Sequence, residues 1–476
     1  MKITLSGQSY EHPSRDANYQ RAVNLFPSPT GDEKVPATLL HTSGLSTLVD
    51  LGGSQVRALM PFNSKLYAIV DNTVYLVTVA ADKMSATSSS IGTINAGSGR
   101  ISWARNPTQI MFVTGGTKGY IITASTDTLA EITDGDFTGG VMVDFIDSYF
   151  VYNTPDASTM YSTTINNGTS VSALDVATAE GSPDLLKGLI AYKKEIWALG
   201  ETSIEVWYNA ANVTGFPFSV RDGALIDLGT SAPHSACRAN NNLLWLDDRR
   251  FVIQVSGYTP TIVSNPAISA KFQSYTTVSD AFGFAFKDRG HFFYQLTFPT
   301  EGKTWVYDLD NKAWHERSYR DPVSDTDTRH LANCHANFQN MNLVGAFNSG
   351  KIYKMSGDYY DDAGNPIVRI RTTSHYTTEL KQYGFNSLEL HAENGKGTVT
   401  STGSDPQISM RYSNDGGYTW SHHMARSIGK IGEYNKRVRW NRLGTGREWI
   451  FEFTYCEPTP LGLLELYAEV EGDNNA

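Results

Sequence analysis

The sequence contains one copy of the Asp-box pattern, S-x-D-x-G-x-T-W, which is its most regular arrangement of polar residues. Its residues are Ser413, Asp415, Gly417, Thr419 and Trp420. In this pattern the Ser and Asp oxygens accept hydrogen bonds from the amides of a tight hairpin turn, the glycine supplies a positive φ, and the Trp packs beneath. We therefore interpret these five residues as a structural turn.

Glycoside hydrolysis is the reaction that an Asp-box could suggest, because the pattern recurs in sialidases and other carbohydrate-active propellers. In those proteins, however, the motif lies at the periphery of the blades, away from the catalytic centre. The reaction needs a carboxylate pair, or a Tyr nucleophile with its Glu, at a fixed separation in a pocket. The clustered acids, Asp134 with Asp136 and Asp247 with Asp248, are expected at hairpin turns, where Asp caps its own backbone. The sequence predicts no catalytic residues.

The sequence indicates a metal site or nucleotide chemistry no better than it indicates glycoside hydrolysis. A zinc site needs two pairs of ligands at a characteristic spacing. The sequence offers only isolated pairs, namely His234 with Cys237, Cys334 with His335, and His422 with His423. Neither G-x-x-x-x-G-K-[ST] nor a strand-bound G-x-G-x-x-G occurs. We predict no metal site, no cofactor and no enzymatic activity.

One stretch of the chain is strongly basic. Between residues 426 and 444 a single acid, Glu433, stands against six basic residues, and Tyr434 and Trp440 are interleaved with them. The basic residues are Arg426, Lys430, Lys436, Arg437, Arg439 and Arg442. Two interpretations stay open. The stretch contacts phosphates or an acidic partner subunit, or it is a solvated strand face whose charges pair with acidic neighbours.

The overall composition indicates the class of protein to which these residues belong. Of 476 residues, 39 are Lys or Arg and 49 are Asp or Glu, and a net charge of -10 argues against a generic nucleic-acid binder. An aromatic content of 12% excludes a disordered chain. The three cysteines, Cys237, Cys334 and Cys456, predict buried small side chains, no disulfide framework and synthesis in a reducing compartment. No apolar run has the length of a signal peptide or a membrane span, so we expect a soluble protein.

A repeated pattern runs through residues 51–356. A short apolar and aromatic strand is followed by a polar turn and a second strand, and seven copies occur. The equivalent positions are Tyr67, Met111, Phe150, Trp197, Trp245, Tyr294 and Val344, at steps of 44, 39, 47, 48, 49 and 50 residues. Such a period is typical of a β-propeller, whose four-stranded blades stack around an axis. The sequence predicts an all-β chain with a propeller of about seven blades.

Two further segments flank the repeats. Residues 1–50 are polar and contain closely spaced prolines, which indicates an extended N-terminal arm. An acidic stretch with Gly and Pro at 357–366 is interpreted as a linker, and alternating strand-like runs follow it. We assign residues 51–356 to the propeller and 367–476 to a C-terminal β-sandwich-like domain that contains the Asp-box hairpin.

Several phrases of the sequence resemble one family, the packaged-DNA stabilization protein of short-tailed bacteriophages. The phrases are RAVNLFP at 21–27, LLHTSGL at 39–45, MRYSNDGGYTW at 410–420, GKIGEY at 429–434 and RVRW at 437–440. The resemblance covers most of the chain and is most specific in residues 367–470. Ser43 stands where many relatives have Pro.

The resemblance implies a structural virion protein. In that family, copies form a ring, the tail hub or nozzle, below the portal and its adaptor ring; the tail needle plugs the ring and tailspikes attach at its side. We therefore expect a homo-oligomer, hexameric as in the family, that is made in the host cytoplasm, resides in the phage tail, retains packaged DNA and conducts it at ejection. It would enclose duplex DNA without sequence-specific binding and meet the host envelope only through the assembled tail. A carbohydrate-binding or sialidase-like propeller is the alternative.

The N-terminal arm is expected to be ordered only where apolar side chains dock, since fixing each residue costs about 1 to 2 kcal/mol. Its candidate anchors are Val23, Leu25, Phe26, Leu39 and Leu40. We expect them to bind the chain's own propeller or a neighbouring subunit. A chain without residues 1–50 is expected to keep its repeats folded and to lose assembly.

Overall fold

The structure is a computed structural model that describes residues 1–15, 17–32, 35–179, 181, 184–377, 381–399 and 402–472. Most regular structure in these residues is β-strand. They contain one α-helix, α1 (Pro266–Ser274), and a 3₁₀ turn at Pro233–Ser235. No helix in the described part of the chain is long and apolar enough to cross a membrane.

Short strands begin at the start of the chain. The N-terminal strands are β1 (Lys2–Ile3), β2 (Tyr10–Glu11), β3 (Tyr19–Gln20), β4 (Ala22–Val23), β5 (Leu25–Pro29), β6 (Ala37–His41) and β7 (Gly44–Asp50). The first blade consists of β8 (Val56–Phe62), β9 (Lys65–Val70), β10 (Thr73–Val79) and β11 (Ala86–Thr93). The second consists of β12 (Ser102–Arg105), β13 (Gln109–Val113), β14 (Gly119–Thr123) and β15 (Thr128–Glu131). The third consists of β16 (Val143–Ile146), β17 (Tyr149–Asn153), β18 (Thr159–Thr164) and β19 (Asn167–Thr178).

The later blades repeat this order. The fourth consists of β20 (Leu186–Tyr192), β21 (Glu195–Gly200), β22 (Ile204–Asn209) and β23 (Phe218–Val220). The fifth consists of β24 (Cys237–Ala239), β25 (Asn242–Leu246), β26 (Val252–Ser256) and β27 (Thr259–Ile262). The sixth consists of β28 (Phe282–Asp288), β29 (His291–Phe298), β30 (Lys303–Asp308) and β31 (Ala313–Asp321), to which β32 (Thr326–Arg329) is added. The seventh contains β33 (Ala332–Phe338), β34 (Met341–Ala346) and β35 (Lys351–Ser356).

The predicted propeller is confirmed: the described residues form seven blades. The seven equivalent positions of the repeat lie on the second strand of successive blades, and all seven side chains are fully buried. First strands of neighbouring blades contact one another from β8 to β20 and from β24 to β33, and β20 contacts the 3₁₀ turn that precedes β24. Strand β33 contacts β8, which closes the ring. The second strand of each blade is covered on both of its faces by the two adjacent blades. A large apolar side chain therefore recurs there once per blade.

The fourth strand of the seventh blade comes from the N-terminal segment. Strand β7 pairs antiparallel with β35, with Leu45 opposite Met355 and Val49 opposite Ile352. Residues 44–50, which the sequence analysis included in the arm, therefore belong to a blade. The pairing joins parts of the chain about 300 residues apart, so no local pattern could reveal it.

Residues 357–366 also differ from a free linker. Strands β36 (Asp361–Asp362) and β37 (Asn365–Pro366) form a small hairpin, and β36 runs parallel to β7. The stretch therefore extends the sheet of the seventh blade. Its acidic and Gly-rich composition reflects the turn, in which Ala363 and Gly364 both have positive φ.

The C-terminal domain is a sandwich of two sheets. Its strands are β38 (Arg369–Thr372), β39 (Tyr376–Thr377), β40 (Tyr383–Ala392), β41 (Gln407–Ser413), β42 (Met424–Ser427), β43 (Val438–Gly446), β44 (Glu448–Tyr455) and β45 (Gly462–Gly472). One sheet has the order β43-β40-β45-β6-β5, with β1 beside β45, and the other contains β4-β38-β44-β41-β42. Trp440 and Leu466 of the first sheet pack with Met410, Trp449 and Phe451 of the second in one core.

The arm joins the propeller to the sandwich. Val23 of β4 pairs with Glu316 of the sixth blade on one side and with Ile370 of the sandwich on the other. Among the described strands this produces one continuous sheet of eleven. The predicted anchors Val23, Leu25, Phe26 and Leu39 are buried, and Leu40 is half-buried. The arm thus docks on its own chain, with anchors in both the sandwich core and the core between the last two blades.

The cysteines depart from their prediction. Cys456 is exposed, and Cys237 and Cys334 are only half-buried. All three thiols are free, because no two of them form a disulfide. Desolvation raises the pKa values of Cys237 and Cys334 to about 12, so these thiols stay protonated at neutral pH.

Asp362 is a buried carboxyl group between the propeller and the sandwich. Desolvation raises its pKa from 3.8 to about 7, although the positive charges of Arg317 and Arg369 act in the opposite direction. Because the folded-state pKa lies above the unfolded one, the contribution of Asp362 to stability is greatest below pH 4. It is lost as pH rises through 7.

We expect Asp362→Asn to raise the free energy of unfolding strongly at pH 8 and less at pH 5, where the folded carboxyl is still protonated. A shift of this size corresponds to roughly 3 to 5 kcal/mol of pH-dependent stability. Denaturant unfolding of both proteins between pH 5 and 8.5 measures the difference. Asp358→Asn, at an exposed position, is the matched control and should leave the pH profile unchanged. Parallel profiles for wild type and Asp362→Asn would contradict the assignment.

Candidate assembly surface

The Asp-box residues lie in the turn that connects β41 to β42. The Ser413 hydroxyl donates to Asp415 Oδ1 at 2.7 Å and accepts from the Gly417 amide at 2.8 Å. The Asp415 carboxylate accepts from the amides of Tyr418 and Thr419 at 2.9 to 3.1 Å. Gly417 has a φ of +93° and is buried, which favours glycine at this position. The side chains are engaged in holding the turn.

Trp420 is less buried than the sequence analysis supposed. Its indole is half-buried, with the Arg411 guanidinium 4.7 Å from the ring centroid and the Tyr19 ring at 6.5 Å. The core below is filled instead by Trp449, which is fully buried and packs on Phe451. Tyr19 belongs to the arm, so the turn also holds a contact with the N-terminal segment.

We expect Asp415→Ala to lower the free energy of unfolding by about 1 kcal/mol, because its hydrogen bonds are lost at an exposed site. Desolvation raises the pKa of Asp415, but the hydrogen bonds from Thr419, Ser413 and Tyr418 together outweigh it and lower the pKa to about 2. This contribution is therefore present above pH 4 and lost as pH falls through 2. Chemical denaturation at pH 7 and pH 2 measures both effects. An equal loss at the two pH values would contradict this account.

Trp420→Ala is expected to cost about 1 to 2 kcal/mol, since only part of the indole leaves an apolar environment. Trp449→Ala is the matched comparison, and its cavity should cost roughly 3 to 5 kcal/mol. Thermal and denaturant unfolding of the two variants would rank them. A larger loss of unfolding free energy for Trp420→Ala than for Trp449→Ala would contradict this ranking by burial.

The basic stretch is divided between paired and unpaired residues. Arg437 forms a two-pronged ion pair with Glu389, and Arg439 contacts Glu469 at 2.7 Å. Lys436 lies 3.8 Å from Glu433. These three pairs agree with a solvated strand face.

The other basic residues of the stretch have no ion pair with a described residue. They are Arg426, Lys430 and Arg442, and all three are exposed. Ile431 and Tyr434, in the loop between β42 and β43, are exposed as well. This loop and the Asp-box turn lie at opposite ends of β42, so the structure does not bring the two sequence motifs into one site.

Asp247 and Asp248 lie at the hairpin turn between β25 and β26, as expected, whereas Asp134 and Asp136 lie in the connection between the second and third blades and not at a hairpin. Asp134 accepts from the amides of Asp136 and Val171, and its pKa is lowered by those hydrogen bonds. Asp247 is buried, accepts from the Phe251 amide at 2.7 Å, and is bonded to Arg249. Both carboxylates are therefore engaged by backbone amides, Asp134 in part by an amide of β19.

One group of possible metal ligands is found in the described residues, and the sequence analysis did not name it. It consists of His291, Asp308 and Asp310. Asp308 Oδ2 already accepts from His291 Nδ1 and Asn311 Nδ2 at 2.8 Å, and Asp310 Oδ2 accepts from the Phe292 amide at 2.7 Å. These hydrogen bonds explain why the three side chains lie close together.

Exposed apolar side chains on the blade edges were also missed. Val213, after β22, is 99% exposed, and Leu174, on the edge strand β19, is 79% exposed. The backbone of Gly215 approaches that of Leu174, so the two segments are adjacent. The one feature of the sequence that could have indicated this surface is the presence of aliphatic residues in an otherwise polar edge segment.

Comparison with known families decides the identity. One family sequence profile, described as "Bacteriophage P22 Gp10, beta-propeller", matches residues 1–360, and a second, "Bacteriophage P22 Gp10, beta-sandwich", matches residues 369–471. The chain belongs to the P22 Gp10 family. Gp10-family proteins are phage structural proteins, so this chain is a virion component.

Solved structures similar to this Gp10-family chain include the crystal structures of the WD40 beta propeller domain of Doa1 and of the computationally designed Ika8 protein. The Doa1 domain is 12% identical with a TM-score of 0.41, covering 66% of this chain and 96% of that one. Ika8 is 12% identical with a TM-score of 0.39, covering 66% of this chain and 99% of that one. No curated protein matches the chain.

Ser43, which precedes the glycine at the start of β7, is buried in the turn before that strand. Its hydroxyl donates to the Asp288 carboxylate, and its carbonyl oxygen accepts from Arg317 Nη2 at 2.6 Å. The turn is therefore fixed by side-chain hydrogen bonds to the sixth blade. A proline ring would restrict the backbone there but could not supply the hydroxyl.

Proposed function

We propose that this Gp10-family protein is the tail hub, or nozzle, of a short-tailed phage. Copies of it would form a ring below the portal and its adaptor ring, retain packaged DNA and conduct it at ejection. The observation that carries the proposal is that the family profiles match both domains, over residues 1–360 and 369–471. The tail needle and the tailspikes are the further partners that this role requires.

The construction of the chain supports a mechanical role. A sheet of eleven described strands runs from the sixth blade through β4 into the sandwich, so backbone hydrogen bonds connect the two domains. A load applied to the sandwich would be transmitted to the propeller through those bonds. Loops at the ends of the blades remain free to contact partners.

The charge of the chain supports retention of DNA without gripping it. Six copies, each with a net charge of -10, would bring about -60 formal charges to the ring. Such a surface repels the DNA backbone at long range. We infer that DNA is held by a closed passage, and that purified protein binds duplex DNA weakly at physiological salt.

The direct test is electron microscopy of the purified protein with and without a portal-adaptor complex. Rings that add to the adaptor end of the portal are the expected result. Protein that stays monomeric and does not bind the adaptor complex at micromolar concentration would refute the proposal. Sedimentation of the same mixtures gives the stoichiometry.

A second test decides between the two interpretations of the basic stretch. Duplex DNA binding is measured against salt for wild type and for the triple variant Arg426→Gln, Lys430→Gln, Arg442→Gln. Arg437→Gln, which removes a residue paired with Glu389, is the matched control. A smaller salt slope in the triple variant alone would mean that these residues contact phosphates. Equal, weak binding in all three proteins supports a solvated face, and sub-micromolar wild-type binding would contradict mechanical retention.

A further inference from the structure

Three arginines converge on a cavity beside the innermost strands of the propeller. Arg57 lies on β8, Arg100 precedes β12, and Arg329 ends β32, so they come from parts of the chain far apart in sequence. The cavity has a volume of about 350 Å³ and is also lined by His234 and Asp280. The tail-hub proposal gives these residues no role.

Two of the guanidinium groups are held in place by backbone carbonyls. Arg57 donates from Nε and Nη2 to the Gly99 carbonyl at 2.9 and 2.7 Å. Arg100 donates from Nη1 to the Asn333 carbonyl at 3.0 Å, and its guanidinium lies 3.5 Å from the centroid of the Phe282 ring. These contacts orient the groups but do not neutralise them.

The third guanidinium has spare hydrogen-bonding capacity. Arg329 lies over the Phe347 ring at 4.0 Å, and its Nη1 atom is buried without a hydrogen-bond partner among the described residues. A buried donor on a charged group costs free energy unless an acceptor reaches it. Arg329 is part of the cavity lining, so its positive charge acts on an anion that enters the cavity.

The cavity carries a net positive charge. Within the described residues, Arg57, Arg100 and Arg329 form no ion pair, and Asp280 is the one acid in the lining. Burial lowers the pKa values of Arg100 and Arg329 to about 10, so both remain charged at pH 7. Burial and the nearby charge of Arg100 lower the pKa of His234 to about 3, so the imidazole is neutral. Three positive charges therefore face one negative charge.

We propose that this cavity binds a small oxyanion of the phosphate class. Guanidinium groups match phosphate oxygens in geometry and charge, and the partly desolvated site strengthens the attraction. The cavity has room for a phosphate or pyrophosphate group but is far too small for a DNA duplex. A bound anion would neutralise groups from the first, second and sixth blades and so tie them together near the axis.

The test is titration of the purified protein with inorganic phosphate and with pyrophosphate, followed by calorimetry and by the shift in melting temperature. Chloride at matched ionic strength is the reference. We expect saturable binding and a rise in melting temperature with anion concentration. Arg329→Gln should weaken binding roughly ten- to hundred-fold, which is the usual effect of losing one charge-assisted hydrogen bond.

Two further variants separate binding from folding. Asp280→Asn removes the repulsive carboxylate and should tighten phosphate binding, a gain that a damaged fold cannot produce. Arg105→Gln, at an exposed arginine of the second blade, should leave binding unchanged. The proposal is overturned if phosphate does not bind saturably at millimolar concentration, if Arg105→Gln and Arg329→Gln weaken binding equally, or if a short DNA duplex displaces the phosphate.

Discussion

A chain that lacks residues 1–50 is expected to lose cooperative folding. The deletion removes β7, the outer strand of the seventh blade, and leaves the backbone of β35 unpaired. It also removes the buried anchors Val23, Leu25, Phe26 and Leu39, which contribute about 1.5 to 3 kcal/mol each. The sum is comparable with the whole stability of a typical domain, about 5 to 15 kcal/mol. This reverses the expectation drawn from the sequence, in which the repeats stay folded.

A second truncation, without residues 1–43, is the matched control because it retains β7. It should keep the propeller closed and lose the connection through β4 to the sandwich. Near-ultraviolet circular dichroism and differential scanning calorimetry of both truncated proteins distinguish the cases. A cooperative transition like that of the full chain in the protein without residues 1–50 would show that β7 is dispensable.

Phe26→Ala is expected to lower the free energy of unfolding by roughly 3 to 5 kcal/mol, the usual cost of a large cavity in a packed core. Phe26 is fully buried, and its ring packs edge-on against His291 and Phe293 with centroids 5.2 Å apart. The Arg289 guanidinium lies 5.0 Å from the ring centroid. Truncation would leave these groups facing a void, and denaturant unfolding measures the loss.

Leu40→Ala provides the comparison for Phe26→Ala. Leu40 is half-buried at the edge of the same core, so its truncation should cost about 1 kcal/mol. Limited proteolysis of both variants reports on arm docking directly, since an undocked arm exposes the segment between β3 and β5. Equal losses for Phe26 and Leu40 would mean that the arm docks through its backbone more than through its side chains.

Several elements of the fold could be read from the sequence because their determinants are local. Each blade is a meander of short strands, so a buried aromatic or aliphatic residue recurs at positions such as Trp197, Trp245 and Tyr294. The Asp-box turn is local in the same sense, because Ser413 and Asp415 bond amides within four residues. The repeat, the propeller and this turn needed no knowledge of distant contacts.

The features that the sequence did not reveal depend on long-range pairing. Strand β7 pairs with a strand about 300 residues away, and the hairpin at 361–366 is positioned by its pairing with β7. Whether Trp420 is buried depends on how the arm and Arg411 pack beside it. These outcomes follow from which surfaces meet after the ring has closed.

The sequence by itself determined the propeller, the existence of a C-terminal β domain and the absence of a recognisable catalytic motif, because hydrophobic period and turn chemistry are properties of adjacent residues. Only the tertiary structure decided that the N-terminal segment completes the seventh blade and joins the two domains. It also decided that Arg57, Arg100 and Arg329 share one cavity. Each of these arginines is an isolated charge in its own segment. Their joint positive field exists only because the propeller brings the innermost strands of its blades together.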